Sequence, residues 1–410
     1  MRLGIAASLA CFLIHPVVSG AEQKTYSLKV SPPEHKRMKD PITGAELLFI
    51  ATHPAKDVNF YFHERSWMAD SSVVFFNSSR PEGGLMGYIF ATGELMHVTT
   101  PSGSVRCPTA ARNKNAVYGV RGADVVEISI DVHESDDPAA KPSEVIARER
   151  VICTLPEQYR SCGLLNENCD GSLVSTYCGK AILLIDTASG AVRELWSGEH
   201  GGHVQFSRVT PHYLSFAGRE NRLMMIDVRD GQPRTIHRQV PGEMVTHECW
   251  WVNDTMTYCG GYRDGEAAVR VIDVHSGQVH IAGAGAWVPW RYETTKVEPD
   301  PKDMLNRWNW WHAAGDENGR WIAADNWYGD IVLFDAKTTQ MRRLTLAHRV
   351  YSRGEHPHVG WDRLSKRVIF ASAMLGGEDV CVATIPEEWG PDPATEGLIM
   401  TSLGLIEGGK

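Results

Sequence analysis

Three observations predict an all-β chain folded as a seven-bladed β-propeller. A strand–turn–strand unit recurs along the chain, the composition favours short strands and tight turns, and no helix-period segment of useful length interrupts them. The unit is an apolar strand, an Asp, a turn containing Gly, and a second strand. It reads ILLIDTASGAVREL at 182–195, LMMIDVRDGQPRTI at 223–236 and VRVIDVHSGQVHIA at 269–282. Weaker copies are YIFATGELMHVT at 88–99 and IVLFDAKTTQMRRLT at 331–345. Gly190, Gly231 and Gly277 set steps of 41 and 46 residues, the size of a four-stranded blade. Gly93 lies 97 residues before Gly190, which leaves room for a degenerate blade around VVEISIDV. The longer step from Gly277 to Thr338 predicts an inserted loop around 288–308. Counting blades gives seven, with eight as the alternative.

The composition agrees, with 13 tryptophans and 38 glycines in 410 residues. A formal net charge of −9 argues against nucleic acid, whose phosphates demand basic patches, but leaves an acidic sugar open. The chain starts MRLGIAASLACFLIHPVVSGAEQ. One arginine, an apolar run and small residues before Ala21 predict a signal peptide over 1–20 and a secreted or periplasmic single domain over 21–410. Lipidation at Cys11 is the disfavoured alternative, because that cysteine sits inside the apolar run. No later stretch approaches the ~20 apolar residues of a membrane-spanning helix. In an oxidising compartment the other eight cysteines are disulfide candidates. Cys153, Cys162, Cys169 and Cys178 would staple an irregular insertion, and Cys249 would pair with Cys259 across a hairpin. A zinc site in that cluster is disfavoured, since it has neither Cys-x-x-Cys nor a nearby histidine.

Four later segments carry unusual histidines: HGGHVQFS with His200 and His203, VTHECWW with His247 and Glu248, RWNWWHAAGDENGRWIAAD with His312, and EHPHVGWDRLSKRVIFAS with His356 and His358. Two histidines at i and i+2 on an extended chain point to one side, and the proline between them fixes the backbone. Such a pair is half a site for a divalent metal, and His312 would supply a third ligand. The plain alternative is a solvated histidine pair at a strand start.

The segments THECWWVNDTMTYCGGYRDG and GEHPHVGWDRLSKRVIFASAMLGGEDVCVATIPEEW resemble the oligogalacturonate lyases, polysaccharide lyase family 22. YFHERSWMADSSVVFFNSSRPEGG and GGHVQFSRVTPHYLSFAGRENRLMMID also resemble blades of that family, and the similarity runs over most of 57–390. The resemblance implies His247 as the catalytic base and Arg222, 25 residues earlier, as the essential arginine. It implies His312, His356 and His358 as ligands of a divalent metal, manganese first, with zinc and calcium as alternatives. Arg353 stands where the family carries a glutamine, and Glu355 is the nearest substitute ligand. His203 and Arg353 are the expected substrate contacts.

The implied partner is a uronate oligosaccharide, cut by β-elimination. Removing the C5 proton loads charge onto the neighbouring carboxylate, so a metal and an arginine suit the step as Lewis acid and clamp. A neutral histidine suits the base. His63 is expected to be structural, and Trp308, Trp310 and Trp311 to stack on sugar or to pack between blades. Phe206 occupies the place matched to the tyrosine acid of lyases for other uronate polymers, such as ulvan or glycosaminoglycans, which favours the oligogalacturonate reading over that variant. A non-catalytic periplasmic propeller that binds a glycan or a protein is the reading from another class. A propeller fused to a serine peptidase is disfavoured, because no Gly-x-Ser-x-Gly motif is present.

Overall fold

The recurring Asp builds the turn that follows it. In a computed structural model of the chain, which describes residues 23–261, 268–283, 310–326, 328–350 and 356–389, Asp186 Oδ1 accepts the N–H groups of Ala188 and Ser189 at 3.1 and 2.7 Å. The Gly190 N–H then donates to the Asp186 carbonyl at 2.9 Å, with Gly190 at φ +72°. A left-handed position of this kind favours glycine because a Cβ crowds the backbone there. Gly231 and Gly277 repeat the geometry at φ +68° and +70°. In the copy at 331–345 the equivalent residue is Thr339 at φ +59°, one position beyond the Thr338 that the spacing pointed to.

These hairpins stack into seven sheets, and each is a propeller blade. Blade 1 has strands at Asp57–Val58, Val73–Ser78, Gly84–Ile89 and Leu95–His97. Blade 2 has Arg106–Ala110, Ala116–Arg121, Asp124–His133 and Glu144–Thr154, so the degenerate copy at VVEISIDV is its third strand. Blade 3 covers Asn166–Glu167 to Val192–Ser197, and blade 4 covers Gln205–Phe206 to Pro233–Thr235. Blade 5 runs from Met244–Trp250 to Val279–Gly283, and blade 6 from Trp310–Gly315 to Met341–Thr345. Blade 7 takes three strands from the C-terminal part, Gly360–Trp361, Arg367–Ser372 and Asp379–Thr384. Two from the N-terminal part, Glu46–Phe49 and Lys36–Lys39, complete it. The pairing of Phe49 with Cys381 closes the ring. Two further strands, Lys24–Ser27 and Lys29–Ser31, edge blades 2 and 1. Helix among the described residues is confined to short 3-10 turns.

The core lies in the seams. Each pair of neighbouring blades encloses its own cluster of buried apolar side chains, seven clusters in all. Tryptophans pin the inner strands together through their indole N–H groups: Trp250 donates to Gln205 O at 3.0 Å, Trp251 to Asp316 O at 2.8 Å and Trp361 to Ala314 O at 2.8 Å. Trp310 is buried in the seam between blades 5 and 6.

The disulfide expectation is corrected. All eight described cysteines are free thiols. Residues 153–178 are the end of blade 2 and the start of blade 3 rather than an irregular insertion, and Cys153 and Cys162 pack as apolar residues in that seam. Cys249 pairs in register with Thr257 and Cys259 with Thr246, so the two thiols are offset along the hairpin. The leader, the 288–308 loop, Trp308, Arg353 and Glu355 lie outside the described residues.

Candidate active site

The inner strands run from one mouth of the central channel towards the other, and the histidines stand at their N-terminal ends. Local irregularity aims them. In blade 5 the register passes from Thr246↔Cys259 to Cys249↔Thr257, so His247 and Glu248 together face one partner residue. This is a β-bulge, which re-aims side chains out of the ladder. His247 sits on it at φ +53°. In blade 6 the ladder passes from Trp310↔Asn326 to Ala313↔Ala324, which bulges Trp311 and His312 opposite Asp325. His203 and His358 adopt φ +55° and +51° just before their strands. A left-handed non-glycine residue costs roughly 1 kcal/mol or more, and here the cost recurs at residues that converge on one point.

That point is a three-histidine cluster. His312, His356 and His358 bring ligating nitrogens to within 4.8 Å of one another. Nitrogens sharing one ion at about 2.1 Å each stand at most about 4.2 Å apart, so small side-chain shifts close the set. Asp325, fully buried, accepts from His312 Nδ1 at 2.9 Å and also takes the backbone N–H groups of His312 at 3.0 Å and His358 at 3.2 Å. Nδ1–H is therefore the donor, and Nε2 carries the lone pair. That Nε2 is buried with no hydrogen-bond partner among the described residues. A buried, orphaned imidazole nitrogen oriented by a carboxylate behind it is the arrangement of a metal-bound histidine, so these residues fit a divalent ion. Burial, reinforced by His312 and His356, holds His358 well below the usual imidazole range, which keeps it in the neutral form that ligates.

His247 stacks edge-on against His312, with ring centroids 4.3 Å apart, and against Trp311 at 4.6 Å. Its Nδ1 lies 3.1 Å from Thr246 Oγ1. Burial, with the neighbouring histidines and Arg222 adding repulsion, pushes its pKa well below 6.5. Arg222 donates from Nε to Glu248 Oε2 at 2.8 Å, and its Nη atoms have no hydrogen-bond partner among the described residues. His203 stands between two groups, with Nε2 3.2 Å from the Tyr61 hydroxyl and Nδ1 3.5 Å from Glu248 Oε1. Burial, then His63 and Arg222, lowers His203. Burial and the Glu248 charge raise Tyr61, which stays a neutral phenol.

Thus His203, Arg222, His247, His312, His356 and His358 share one mouth. Tyr61, Glu248 and Asp325 complete it; of these the sequence singles out Glu248 beside His247 without a role, and Tyr61 and Asp325 not at all. Glu248 and Asp325 are fully buried acids, each adjoining or facing a singled-out histidine, and the Thr-His-Glu triplet was the available signal for Glu248. His63 packs against Tyr61 and His203 and binds Glu64 through Nδ1 at 2.9 Å. His200 lies elsewhere, bridging to Gly218 and against Tyr177. Phe206 lines a cavity further along the channel.

No family model and no curated protein matches the sequence. Solved structures do match. An oligogalacturonate lyase in complex with manganese aligns with a TM-score of 0.67 at 15% identity, over 88% of this chain and 98% of its own. An oligogalacturonate lyase from Vibrio parahaemolyticus aligns with 0.68 at 13%, over 89% of this chain and 100% of its own. A chain of a mitotic checkpoint complex reaches 0.50 at 12%, over 94% of this chain and 99% of its own. At these identities the likeness carries the fold, and the chain has the seven-bladed propeller fold of the oligogalacturonate lyases.

Proposed function

We propose that the chain is an exported, divalent-metal-dependent lyase that cleaves uronate oligosaccharides by β-elimination, oligogalacturonates first among them. The carrying observation is the orphaned Nε2 of His312 beside His356 and His358, with His247 in ring contact and the Arg222–Glu248 pair at the same mouth. His312, His356 and His358 would hold the ion, manganese by analogy with the lyase solved with it. When bound, the ion supplies Lewis-acid stabilisation of the substrate carboxylate.

The protein's own groups do the rest. With Nδ1–H donating to Thr246, His247 presents the Nε2 lone pair and takes the C5 proton. The C–H pair becomes the C4=C5 double bond, and the C4–O bond breaks with its electrons on the glycosidic oxygen, which takes a proton from water, while His247 later returns its own proton to solvent. The two Nη groups of Arg222 are available to clamp the uronate carboxylate, and Glu248 fixes the guanidinium from behind. Export rests on the N-terminal leader alone.

The test follows the ultraviolet absorbance of the unsaturated product on a panel of uronate oligosaccharides, with chelator and with added manganese. A rise abolished by chelator, and reduced about 10²–10⁴-fold in His247→Ala, is expected. No rise on any sugar from folded, metal-loaded protein would overturn the lyase reading. A response restricted to ulvan or glycosaminoglycan fragments would transfer it to another uronate polymer.

A further inference from the structure

The far end of the channel carries a second constellation. Five residues beyond three of the mouth positions stand charged groups: Arg208 after His203, Glu317 after His312 and Arg363 after His358. Blade 2 repeats the pattern with Arg112 five residues after Cys107, which at φ +52° shares the positive φ of His203 and His358. The four blades thus deliver three arginines and one glutamate to the channel axis, and Arg65 of blade 1 joins them. They surround a cavity of ≈ 40 Å³. A water needs about 10–15 Å³ by this measure, so the space suits one small ion with a water and is far too small for a sugar ring.

The charges do not balance. Among the described residues Glu317 is the carboxylate paired with three guanidinium groups: Arg112 at 3.1 Å, Arg363 at 2.9 Å and Arg208 at 3.8 Å. Glu167 is taken by Arg65 at 3.2 Å, the Arg112 backbone N–H at 2.6 Å and the Tyr118 hydroxyl at 2.8 Å. Glu64 meets His63 Nδ1 through Oε1 at 2.9 Å, and its buried Oε2 has no hydrogen-bond partner among the described residues. Four arginines against these three carboxylates leave an excess of one positive charge even with every carboxylate ionised. Asp316 is not part of the cavity lining and turns Oδ1 to the Arg320 backbone N–H, and with burial raising it to about 7 it offsets only part of that excess near neutral pH. Arg363 Nε is buried with no hydrogen-bond partner among the described residues, and its Nη1 lies near Glu317 without hydrogen-bond alignment. Burial, with Arg65, Arg363 and Arg208 alongside, pushes Arg112 down to about 10. An uncompensated buried cation is costly, and a counter-ion removes that cost.

We propose that this cavity binds one small monovalent anion of the chloride class, held by Arg112, Arg208 and Arg363. Phe62 and His63 stand between it and the histidine mouth, it shares none of the residues given metal or base roles there, and it does not depend on the lyase reading. The test is thermal unfolding of the full chain in bromide against gluconate at constant ionic strength, paired with anomalous diffraction from bromide-grown crystals. Expected are a saturable rise in Tm of a few degrees in bromide and a bromide peak among the three guanidinium groups. Arg363→Gln, and independently Arg112→Gln, removes the excess charge and should abolish both. Identical melting in the two salts overturns the proposal, as do bromide peaks confined to the surface, an adventitious ion only. So does a cavity peak that persists in a folded neutral variant. If neither variant folds, the wild-type titration and diffraction still decide.

Discussion

At the scale of single residues, the site depends on two carboxylates that touch no substrate. Asp325 fixes the tautomer of His312 and takes two backbone N–H groups, so it is a positioning residue for the metal cluster. Asp325→Asn keeps the volume but presents its amide or a weaker acceptor to Nδ1. Manganese affinity should fall about 10–100-fold by titration calorimetry, with activity recovering at high metal. Unchanged affinity would show that the three histidines need no orienting partner. Glu248 acts on the other side, between Arg222 and His203. Glu248→Gln leaves the guanidinium without its counter-charge and free to shift. The turnover number should fall on the order of 10²-fold while manganese affinity holds. A parallel loss of metal binding would instead mark Glu248 as part of a general collapse of the mouth.

At the scale of the element, the Asp–Gly turn was legible because all its interactions are local: the aspartate, two N–H groups and the left-handed glycine fall within five residues. The same turn offers an internal comparison. A Cβ on Gly231 would meet Leu195 O at 3.6 Å, an ordinary contact, so Gly231→Ala carries only the left-handed strain of roughly 1–2 kcal/mol. A Cβ on Gly190 would lie 2.1 Å from Ile152 O of blade 2, and backbone must move. Gly190→Ala should therefore destabilise at least twice as much in urea unfolding, and equal losses would mean that the seam between blades 2 and 3 yields freely. The cysteines of that seam show the limit of spacing as a guide. Their sequence proximity looked like a staple, whereas strand register separates Cys249 from Cys259 and the seam absorbs Cys153 and Cys162 as small apolar groups.

At the scale of the whole molecule, the blade count and the histidine mouth could be read from the sequence, because repeats and rare residue types announce themselves. The closure could not, since ELLF finds its partner more than three hundred residues away, and KRMK joins the blade only by pairing onto ELLF. The buried acids and the arginine cavity were equally hidden, because a charged residue reads as solvated until its burial is known. His348 shows what the closure adds. Thr345 donates to Asp40 Oδ2 at 2.6 Å, so its oxygen accepts from His348 Nε2 at 2.8 Å, and His348 Nδ1 accepts from the Ser372 hydroxyl at 2.6 Å. One neutral imidazole thus links the N-terminal clasp, blade 6 and blade 7. Burial lowers its pKa to about 3, against 6.5 when unfolded. Above pH 6.5 both states are neutral and the latch contributes fully. As pH falls towards 3 the unfolded chain binds a proton that the folded chain refuses, so stability drops by up to roughly 1.4 kcal/mol per pH unit from this group. His348→Asn keeps polar contacts but cannot titrate. It should cost about 1–2 kcal/mol at pH 7 by urea unfolding. The gap to wild type should then narrow steadily between pH 6 and pH 4, and reverse if the proton linkage exceeds the lost contacts. A gap that stays constant across that range would mean that His348 takes up its proton in the folded ring as readily as in the unfolded chain, so that the latch holds without being a neutral imidazole.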